Sequence, residues 1–111
     1  MRNMSFALTT QQFKAKTKTV TRRFGWLFIQ PGDIVCGVEK VMGFKKGEKM
    51  KRLGQIRIVS TRREPLNEIT KADCIKEGFP EMEPADFVRM LCAHSRCGQN
   101  DTVTRIEFEY M

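Results

Sequence analysis

The chain is poor in the residue types that many catalytic and secreted proteins depend on. Its 111 residues include one histidine, one tryptophan and one tyrosine, so an acid–base mechanism that needs two histidines is excluded. No apolar run approaches the ~20 residues that a membrane helix requires. The opening stretch MRNMSFALTT is too short and too polar for the hydrophobic region of a secretory signal. These absences predict a cytoplasmic protein with no membrane partner.

Cysteine is present but does not form a recognisable framework. The chain has four cysteines, and without a secretory segment a disulfide framework is not expected. Cys74, Cys92, His94 and Cys97 are four candidate zinc ligands, but their spacing matches no common paired-cysteine site. We interpret the cysteines as free thiols and predict no metal and no other cofactor, with zinc binding as the open alternative.

The length and composition are those of one globular domain, with an excess of positive charge. We find no linker or low-complexity tract, so residues 1–111 are predicted to form one domain. Lysine and arginine number 20 against 13 acidic residues, which gives a formal net charge of +7. An excess of this size favours a polyanionic partner, such as a nucleic acid or a nucleotide.

Hydrophobic periodicity and turn residues predict the element order β-α-β-β-β-α-α-β. The basic, glycine-bounded segment KKGEKMKRLG is predicted to join two antiparallel strands. Several short strands in a small chain favour an α+β fold, with a closed or nearly closed barrel of about five or six strands and helices at its rims. The predicted strands are SFAL, KTVTRRF, DIVCGVEKVMGF, QIRIVSTRR and TVTRIEFEY; the predicted helices are TTQQFKAK, ITKADCIKEGF and PADFVRMLCAHS.

The linear order of several motifs resembles a known family. A short helix leads into KTVTRR, a PGD turn precedes an apolar strand, and EPLNEIT, EGFP and VTRIEFEY follow in turn. This order resembles the ASCH family of small, PUA-like β-barrels, and in particular the small phage and bacterial members. The resemblance extends from Phe6 to Tyr110. It implies a PUA-like α+β barrel of about five or six strands, with two or three flanking helices and a basic cleft.

The resemblance also implies two functions. The family is thought to bind RNA or nucleotides, and some small members are amidohydrolases that remove the acetyl group from N4-acetylcytidine with a lysine, a threonine and a glutamate. The matching catalytic positions in this sequence are Lys18, Thr21 and Glu77.

The three residue types suit amide hydrolysis, but their spacing sets a structural condition. A threonine hydroxyl needs an adjacent base, which a lysine of lowered pKa supplies, and a glutamate orients that lysine or handles a proton. Residues three apart in a regular strand point to opposite faces. Lys18 and Thr21 therefore converge only if the chain turns between them, which a helix-to-strand junction at Thr17–Lys18 would allow.

Other basic and aromatic residues suit binding of a single-stranded nucleic acid. Phosphate contacts require many positive charges and little precise geometry, whereas aromatic rings stack on bases. The alternative is that the aromatic residues only pack against the core or its rim. The predicted nucleic-acid-binding residues are Arg22, Arg23, Trp26, Phe44, Lys45, Lys46, Arg62 and Arg63.

Three classes of function remain open at this point. The leading hypothesis is a module whose basic cleft binds RNA, a nucleotide or a modified nucleoside. The second is the amidohydrolase, with a ribonuclease as a less favoured enzyme. The third is a phage-encoded interaction protein whose basic loop binds a host factor.

Overall fold

The computed structural model, which describes residues 1–111, confirms the predicted order of elements and the α+β class. The five strands are β1 (Asn3–Ser5), β2 (Val20–Arg23), β3 (Ile34–Val38), β4 (Arg52–Pro65) and β5 (Thr102–Tyr110). The three α-helices are α1 (Thr10–Lys14), α2 (Lys71–Lys76) and α3 (Pro84–Ser95). Two short 3-10 turns, Ala7–Thr9 and Leu66–Glu68, precede α1 and α2. None of the helices is long and apolar enough to cross a membrane.

The strands form one five-stranded mixed sheet in the order β1-β3-β4-β5-β2. The β1–β3 pair is parallel, and the other three pairs are antiparallel. The predicted closure of the barrel is wrong, because β1 and β2 are the two edges and do not pair with each other. These edge strands have only three and four residues, so they offer few backbone groups with which to close the sheet.

The ends of two predicted strands also differ from the structure. β1 stops at Ser5, where its parallel register with β3 ends at Val38, and the next residues form a 3-10 turn. The apolar segment 33–44 was predicted as one strand, but β3 stops at Val38. Beyond it the Lys40 ammonium donates to the Gly43 carbonyl at 3.2 Å, and the chain turns into the basic loop. The predicted long hairpin between β3 and β4 is confirmed.

The helices α2 and α3 begin at the capping residues that the sequence predicts. The backbone N–H of Asp73 donates to the Thr70 side chain at 3.2 Å, which caps α2. Pro84 lies in the first turn of α3, where a missing N–H costs nothing. Glu83 and Asp86 form a reciprocal capping box around the same turn. These caps therefore define the first residue of α2 and the first residue of α3.

Two hydrophobic clusters hold these elements together. The first packs α1 and the start of the chain into the curved sheet; Gly37 is required there, because an added Cβ would lie 2.5 Å from the Phe13 ring. The second packs α2 and α3 against the start of β5 and the 3-10 turn Leu66–Glu68. The first cluster consists of Met4, Phe6, Phe13, Ile29, Val35, Ile56, Ile58, Ile106 and Phe108. The second consists of Leu66, Ile69, Cys74, Phe79, Phe87, Val88, Leu91 and Val103.

Candidate active site

A pocket of about 490 Å³ lies beside the edge strand β2, between the two hydrophobic clusters. Phe6 of the first cluster and Phe79 of the second both line it. Its polar lining includes Lys18, Thr21 and Glu77, the three residues predicted as catalytic. The volume lies within the range of small-molecule sites, about 300–1,000 Å³.

Lys18 lies in the junction between α1 and β2, outside the regular strand. Its carbonyl accepts a hydrogen bond from the Tyr110 hydroxyl at 2.5 Å. The next residue, Thr19, donates its backbone N–H to the Lys76 carbonyl at 2.8 Å. The junction is thus tied to β5 on one side and to α2 on the other. Because Lys18 precedes Val20, the first residue of β2, the alternation of a strand does not apply between Lys18 and Thr21.

The Lys18 ammonium is buried against Glu77. The side chains of both residues are 2% exposed. The Nζ atom donates to Oε1 of Glu77 at 2.6 Å and to the Glu77 backbone carbonyl at 3.0 Å. Burial lowers the pKa of Lys18, because it penalises the charged form more than the attraction of Glu77 favours it. A lysine in this position is a stronger candidate for a general base than a solvated one.

Glu77 is held in place by the way α2 ends. It follows Lys76, the last residue of α2, and is followed by Gly78, whose φ of +99° is unfavourable for other residues. A Cβ at Gly78 would lie 2.7 Å from Cγ of Gln12 and 3.6 Å from Cβ of Lys18. The absence of a side chain at Gly78 therefore lets the end of α2 approach the junction that carries Lys18.

A buried network of ion pairs extends from Glu77 away from the pocket. Arg22, with a side chain 1% exposed, donates to Oε2 of Glu77 at 3.1 Å, to Glu64 at 2.9 Å and to Asp73 at 2.5 Å. Arg105 donates to both carboxylate oxygens of Asp73, at 2.6 and 3.0 Å. With Lys18 these residues make three positive and three negative charges, so the buried network is balanced.

This pairing sets the protonation of the network. Hydrogen bonding from Arg105, assisted by Arg22, holds the pKa of Asp73 well below its usual range, against the opposing effect of burial. Burial disfavours the charge on Arg22, but the hydrogen bonds to Asp73, Glu77 and Glu64 outweigh it and raise the pKa of Arg22. Arg22 thus holds Oε2 of Glu77, while Oε1 faces Lys18.

Thr21 and Arg23 lie on the opposite face of β2 from Arg22. Thr21 is 3% exposed, and its Oγ1 accepts a hydrogen bond from Nε of Arg23 at 3.0 Å. The Arg23 guanidinium lies 4.8 Å from the centroid of the Phe6 ring. Burial lowers the pKa of Arg23 to about 10. Because β2 is an edge strand, side chains from both of its faces reach the same pocket.

The residues predicted to bind nucleic acid do not form one cluster. Arg22 is buried among carboxylates and has no exposed guanidinium to offer to a phosphate, which is a correction of its predicted role. Arg23 lines the pocket. Arg62 is exposed and contacts Glu64 at 2.7 Å, and Arg63 is exposed and donates to Thr104 at 2.6 Å.

The predicted aromatic and lysine contacts lie elsewhere. Trp26 is half-buried against the first cluster, 5.3 Å from the Phe28 ring, so it serves at least in packing. Phe44 is 37% exposed, with the Lys40 ammonium 5.4 Å from its centroid. Lys45 and Lys46 are exposed in the loop between β3 and β4. Neither Trp26 nor Phe44 lines the pocket.

The candidate zinc ligands are not assembled into a site. Cys74 is buried in the second cluster, and no group of three or more histidine, cysteine, aspartate or glutamate side chains is placed to hold a metal ion. The Sγ atoms of Cys92 and Cys97 lie 3.2 Å apart. α3 ends between them at Arg96, which has a left-handed conformation (φ 53°). Contact between the residues flanking such a helix end is common.

Three members of the buried network were not predicted as site residues. Glu64 and Asp73 fit turn and cap roles, and Asp73 does lie in the capped first turn of α2. Arg105 gave one usable signal: it is a charged residue within the apolar part of β5, between Val103 and Ile106. A charge at such a position requires a partner, but the sequence does not identify Asp73 as that partner.

Comparisons with known proteins bear on the fold. No family model and no curated protein matches the sequence. Among solved structures, protein EF3133 from Enterococcus faecalis V583, of family DUF984, superposes with a TM-score of 0.70 at 13% identity, over 100% of this chain and 76% of its own. An ASCH domain from Lactobacillus crispatus JV V101 superposes with a TM-score of 0.64 at 14% identity, over 98% of this chain and 78% of its own.

The chain has the fold of an ASCH domain. A third structure, hypothetical protein PH0355, has the same fold, with a TM-score of 0.63 at 18% identity over 99% of this chain and 96% of its own. The ASCH fold predicted from the motif order is therefore confirmed. At these identities the similarity concerns the fold, and the chemistry has to be argued from the pocket.

Proposed function

We propose that this ASCH-fold protein is a small amidohydrolase that removes an acyl group from the exocyclic nitrogen of a nucleobase or nucleoside of the N4-acetylcytidine type. The observation that carries the proposal is the buried pair of Lys18 and Glu77, at 2.6 Å, in the same pocket as the Thr21 hydroxyl. Burying an ion pair beside a cavity is costly unless the charges have a task or several partners. The residue types are those that the motif resemblance associates with N4-acetylcytidine hydrolysis.

In the proposed reaction Thr21 is the nucleophile and Lys18 is the general base. The neutral amine of Lys18 takes the hydroxyl proton as Oγ1 of Thr21 forms a bond to the acyl carbon. The carbon–nitrogen bond then breaks, and the Lys18 ammonium returns the proton to the departing amine. Water hydrolyses the resulting ester of Thr21 and releases the carboxylic acid, with Lys18 again as base.

Glu77 keeps Lys18 in position throughout this cycle. It accepts the Lys18 ammonium with Oε1 and with its backbone carbonyl, while Arg22 holds Oε2. The carboxylate stabilises the ammonium that forms when Lys18 accepts a proton, whereas burial keeps that ammonium acidic enough to give the proton back. Glu77 is therefore a positioning residue in this scheme.

The pocket suits a planar base more than an extended peptide. Ten of its twenty lining residues are hydrophobic. Phe24, which is 39% exposed, is one of them. A flat, weakly polar ring with one amide side group matches a few polar groups set in apolar walls.

The experiment is incubation of the purified protein with N4-acetylcytidine, followed by chromatographic separation of cytidine. Wild-type protein is expected to convert the substrate, and a Thr21→Val variant, which keeps the shape but lacks the hydroxyl, is expected to be inactive. Cytidine formation by Thr21→Val at the wild-type rate would remove Thr21 from the mechanism. No conversion by folded wild-type protein at high concentration would reject this substrate.

Binding of RNA or a nucleotide is a second candidate function, favoured by the exposed basic residues outside the buried network. Lys45, Lys46, Arg62 and Arg63 are exposed, and Lys40, next to the basic loop, lines the pocket. Since the buried network is balanced, the formal net charge of +7 comes from residues outside it. Such a surface would hold a phosphate backbone while the pocket takes a single unstacked base.

A further inference from the structure

The end of α3 brings together two of the four cysteines, which the proposed mechanism does not use. The Sγ atoms of Cys92 and Cys97 lie 3.2 Å apart, and both cysteines are free and partly exposed. Cys36, by contrast, is buried in β3 and Cys74 is buried in α2. A small reagent in solution therefore has access to one pair of adjacent thiols.

The left-handed turn at Arg96 makes this pair possible. In a continuing α-helix, two residues five apart are displaced by about 7.5 Å along the axis, which exceeds the Cα separation of about 4.4–6.8 Å that a disulfide allows. Arg96, with a φ of 53°, ends α3 and turns the chain back, so that Cys97 contacts Cys92. A contact at a helix cap needs only two apolar side chains, whereas two thiols at this distance can also be joined covalently.

We propose that Cys92 and Cys97 are a reversible oxidation site, at which a small disulfide such as glutathione disulfide converts the two thiols into an intramolecular disulfide. The thiolate of Cys92 attacks one sulfur of glutathione disulfide, whose sulfur–sulfur bond breaks and releases one glutathione thiolate. The thiolate of Cys97 then attacks the sulfur of Cys92, and the second glutathione thiolate leaves. The two protein thiols lose two electrons and two protons, which the two released glutathiones take up.

The contact between the two thiols indicates the order of these attacks. The Cys97 thiol donates its hydrogen to the sulfur of Cys92. Burial, together with the neighbouring Cys92, raises the pKa of the Cys97 thiol, so Cys97 is protonated at neutral pH. Only a thiolate attacks a disulfide, so the first attack falls to Cys92. Cys97 reacts second, when the mixed disulfide on Cys92 is already in contact with it.

Closure of the disulfide is expected to move one wall of the pocket. The two sulfurs must approach from 3.2 Å to about 2.05 Å. The chain after Cys97 is held, because the Asp101 carboxylate accepts the Gly98 N–H at 2.8 Å and the Asp101 carbonyl accepts a backbone N–H from the 3-10 turn before α2. The adjustment therefore falls on the last turn of α3, which carries His94 and Ser95 of the pocket lining.

Thiol counting and mass spectrometry test the proposal without an assay of activity. Reduced protein is incubated with excess glutathione disulfide, quenched with acid and analysed without reductant. The wild type is expected to lose two hydrogens, to keep two of its four thiols and to carry no glutathione. Cys97→Ser is expected to retain one glutathione on Cys92, because it lacks the thiol that displaces it. Cys36→Ser, a change at a buried cysteine of β3, is the matched control and should form the disulfide as the wild type does.

The proposal is overturned if the treated wild type keeps all its thiols, retains glutathione or forms a disulfide-linked dimer. The pair is then only the contact of a helix cap. His94 reports on the pocket, because its imidazole is the only one in the chain. We expect its NMR resonance to shift when the wild type is oxidised and to return when dithiothreitol reduces the disulfide. The double variant Cys92→Ala with Cys97→Ala should show no shift. A disulfide that leaves the resonance unmoved would overturn the movement of the pocket wall.

Discussion

At the scale of single residues, burial and ion pairing determine the pKa values of the charged groups in and behind the site. Lys18 and Glu77 are buried together at the pocket, whereas Asp73 and Arg105 are buried behind it. In the first pair, burial lowers the pKa of the lysine. In the second pair, the arginine partners of Asp73 lower the pKa of its carboxylate. The two pairs therefore affect pH dependence in different ranges of pH, the first visible in catalysis and the second in stability.

The catalytic contribution is a rate that rises with pH. The reactive form of Lys18 is the neutral amine, and its lowered pKa makes that form accumulate at lower pH than for a free lysine, whose reference value is 10.5. We expect kcat/KM for N4-acetylcytidine to rise through the lowered pKa and to level off below pH 10.5. A pH–rate profile between about pH 6 and pH 10 checks this. A rate that is still rising at the upper end would show an unperturbed lysine or a different base.

The stability contribution changes at acid pH. Asp73 is ionised at lower pH in the folded protein than in the unfolded chain, where its pKa is about 3.9. At acid pH the unfolded chain therefore binds a proton at Asp73 that the folded protein does not bind. The stability that Asp73 provides is present above about pH 4 and declines below it. Asp73→Asn should lower the free energy of unfolding at pH 7 by about 3 kcal/mol, because it leaves two buried arginines short of a partner.

Urea denaturation at neutral pH and near pH 3 measures this difference. The difference in free energy of unfolding between wild type and Asp73→Asn is expected to be smaller at the lower pH. Glu109→Gln, which removes an exposed partner of Arg57, is the control and should change stability little at either pH. A gap that stays constant would mean that Asp73 acts through packing and not through its charge.

At the scale of elements, the sequence predicted those with strong local signals and missed those defined by pairing. Thr70, Pro84 and the glycine after α2 are local signals, and each marks a boundary that the structure has. β1 and β3 ended earlier than predicted, because the end of a strand depends on where its partner's register ends. The convergence of Lys18 and Thr21 was conditional on a turn at the helix-to-strand junction, and the structure has that junction.

Gly78 is the element boundary on which the site depends most. Gly78→Ala combines an unfavourable φ of +99° with a Cβ 2.7 Å from Gln12, so the end of α2 must move away from the Lys18 junction. Gly25→Ala is a matched control, because Gly25 has a φ of +76° and no atom within 4 Å of the added Cβ. Both should lose about 1–2 kcal/mol of stability from backbone strain, but Gly78→Ala should lose more.

Activity distinguishes the two glycine variants more clearly than stability does. We expect Gly78→Ala to lower deacetylation strongly, since it displaces Glu77 and with it the ammonium of Lys18. Gly25→Ala should stay within a few-fold of wild type. Steady-state kinetics, with thermal melts to confirm that both variants are folded, provide the comparison. Equal losses in the two variants would mean that the approach of α2 to the junction is unimportant.

At the scale of the whole molecule, the sequence indicated the fold class and the catalytic candidates but not the closure of the sheet or the network behind the site. The network joins β2, the end of β4, α2 and β5 through Arg22, Glu64, Asp73 and Arg105. Those partners are distant in sequence, and the register of β5 against its neighbours decides which side chains meet. Local patterns do not predict which distant side chains form ion pairs. The sequence therefore shows only the charge of Arg22, from which a phosphate contact was predicted.

The surface charge has its own prediction. If the exposed lysines of the basic loop contact phosphates, Lys45→Ala with Lys46→Ala should weaken binding of single-stranded RNA of any sequence. It should also reduce the slope of log K against log salt by about 0.7 for each lost contact. Fluorescence anisotropy over a salt series measures both. Replacement of Lys14 and Arg89, exposed residues of α1 and α3, is the charge-matched control. Equal effects of the two double variants would indicate a nonspecific response to net charge.

The measurement that tests the central claim most directly is the rate of acetate release from N4-acetylcytidine by wild-type protein and by Lys18→Ala. The account predicts steady release by the wild type and none above background by Lys18→Ala, with both proteins shown to be folded by circular dichroism. The reason is that the substitution removes the base and leaves Thr21 and the hydrophobic clusters in place. Release by Lys18→Ala at the wild-type rate would contradict the account, and so would a folded wild-type protein that releases no acetate.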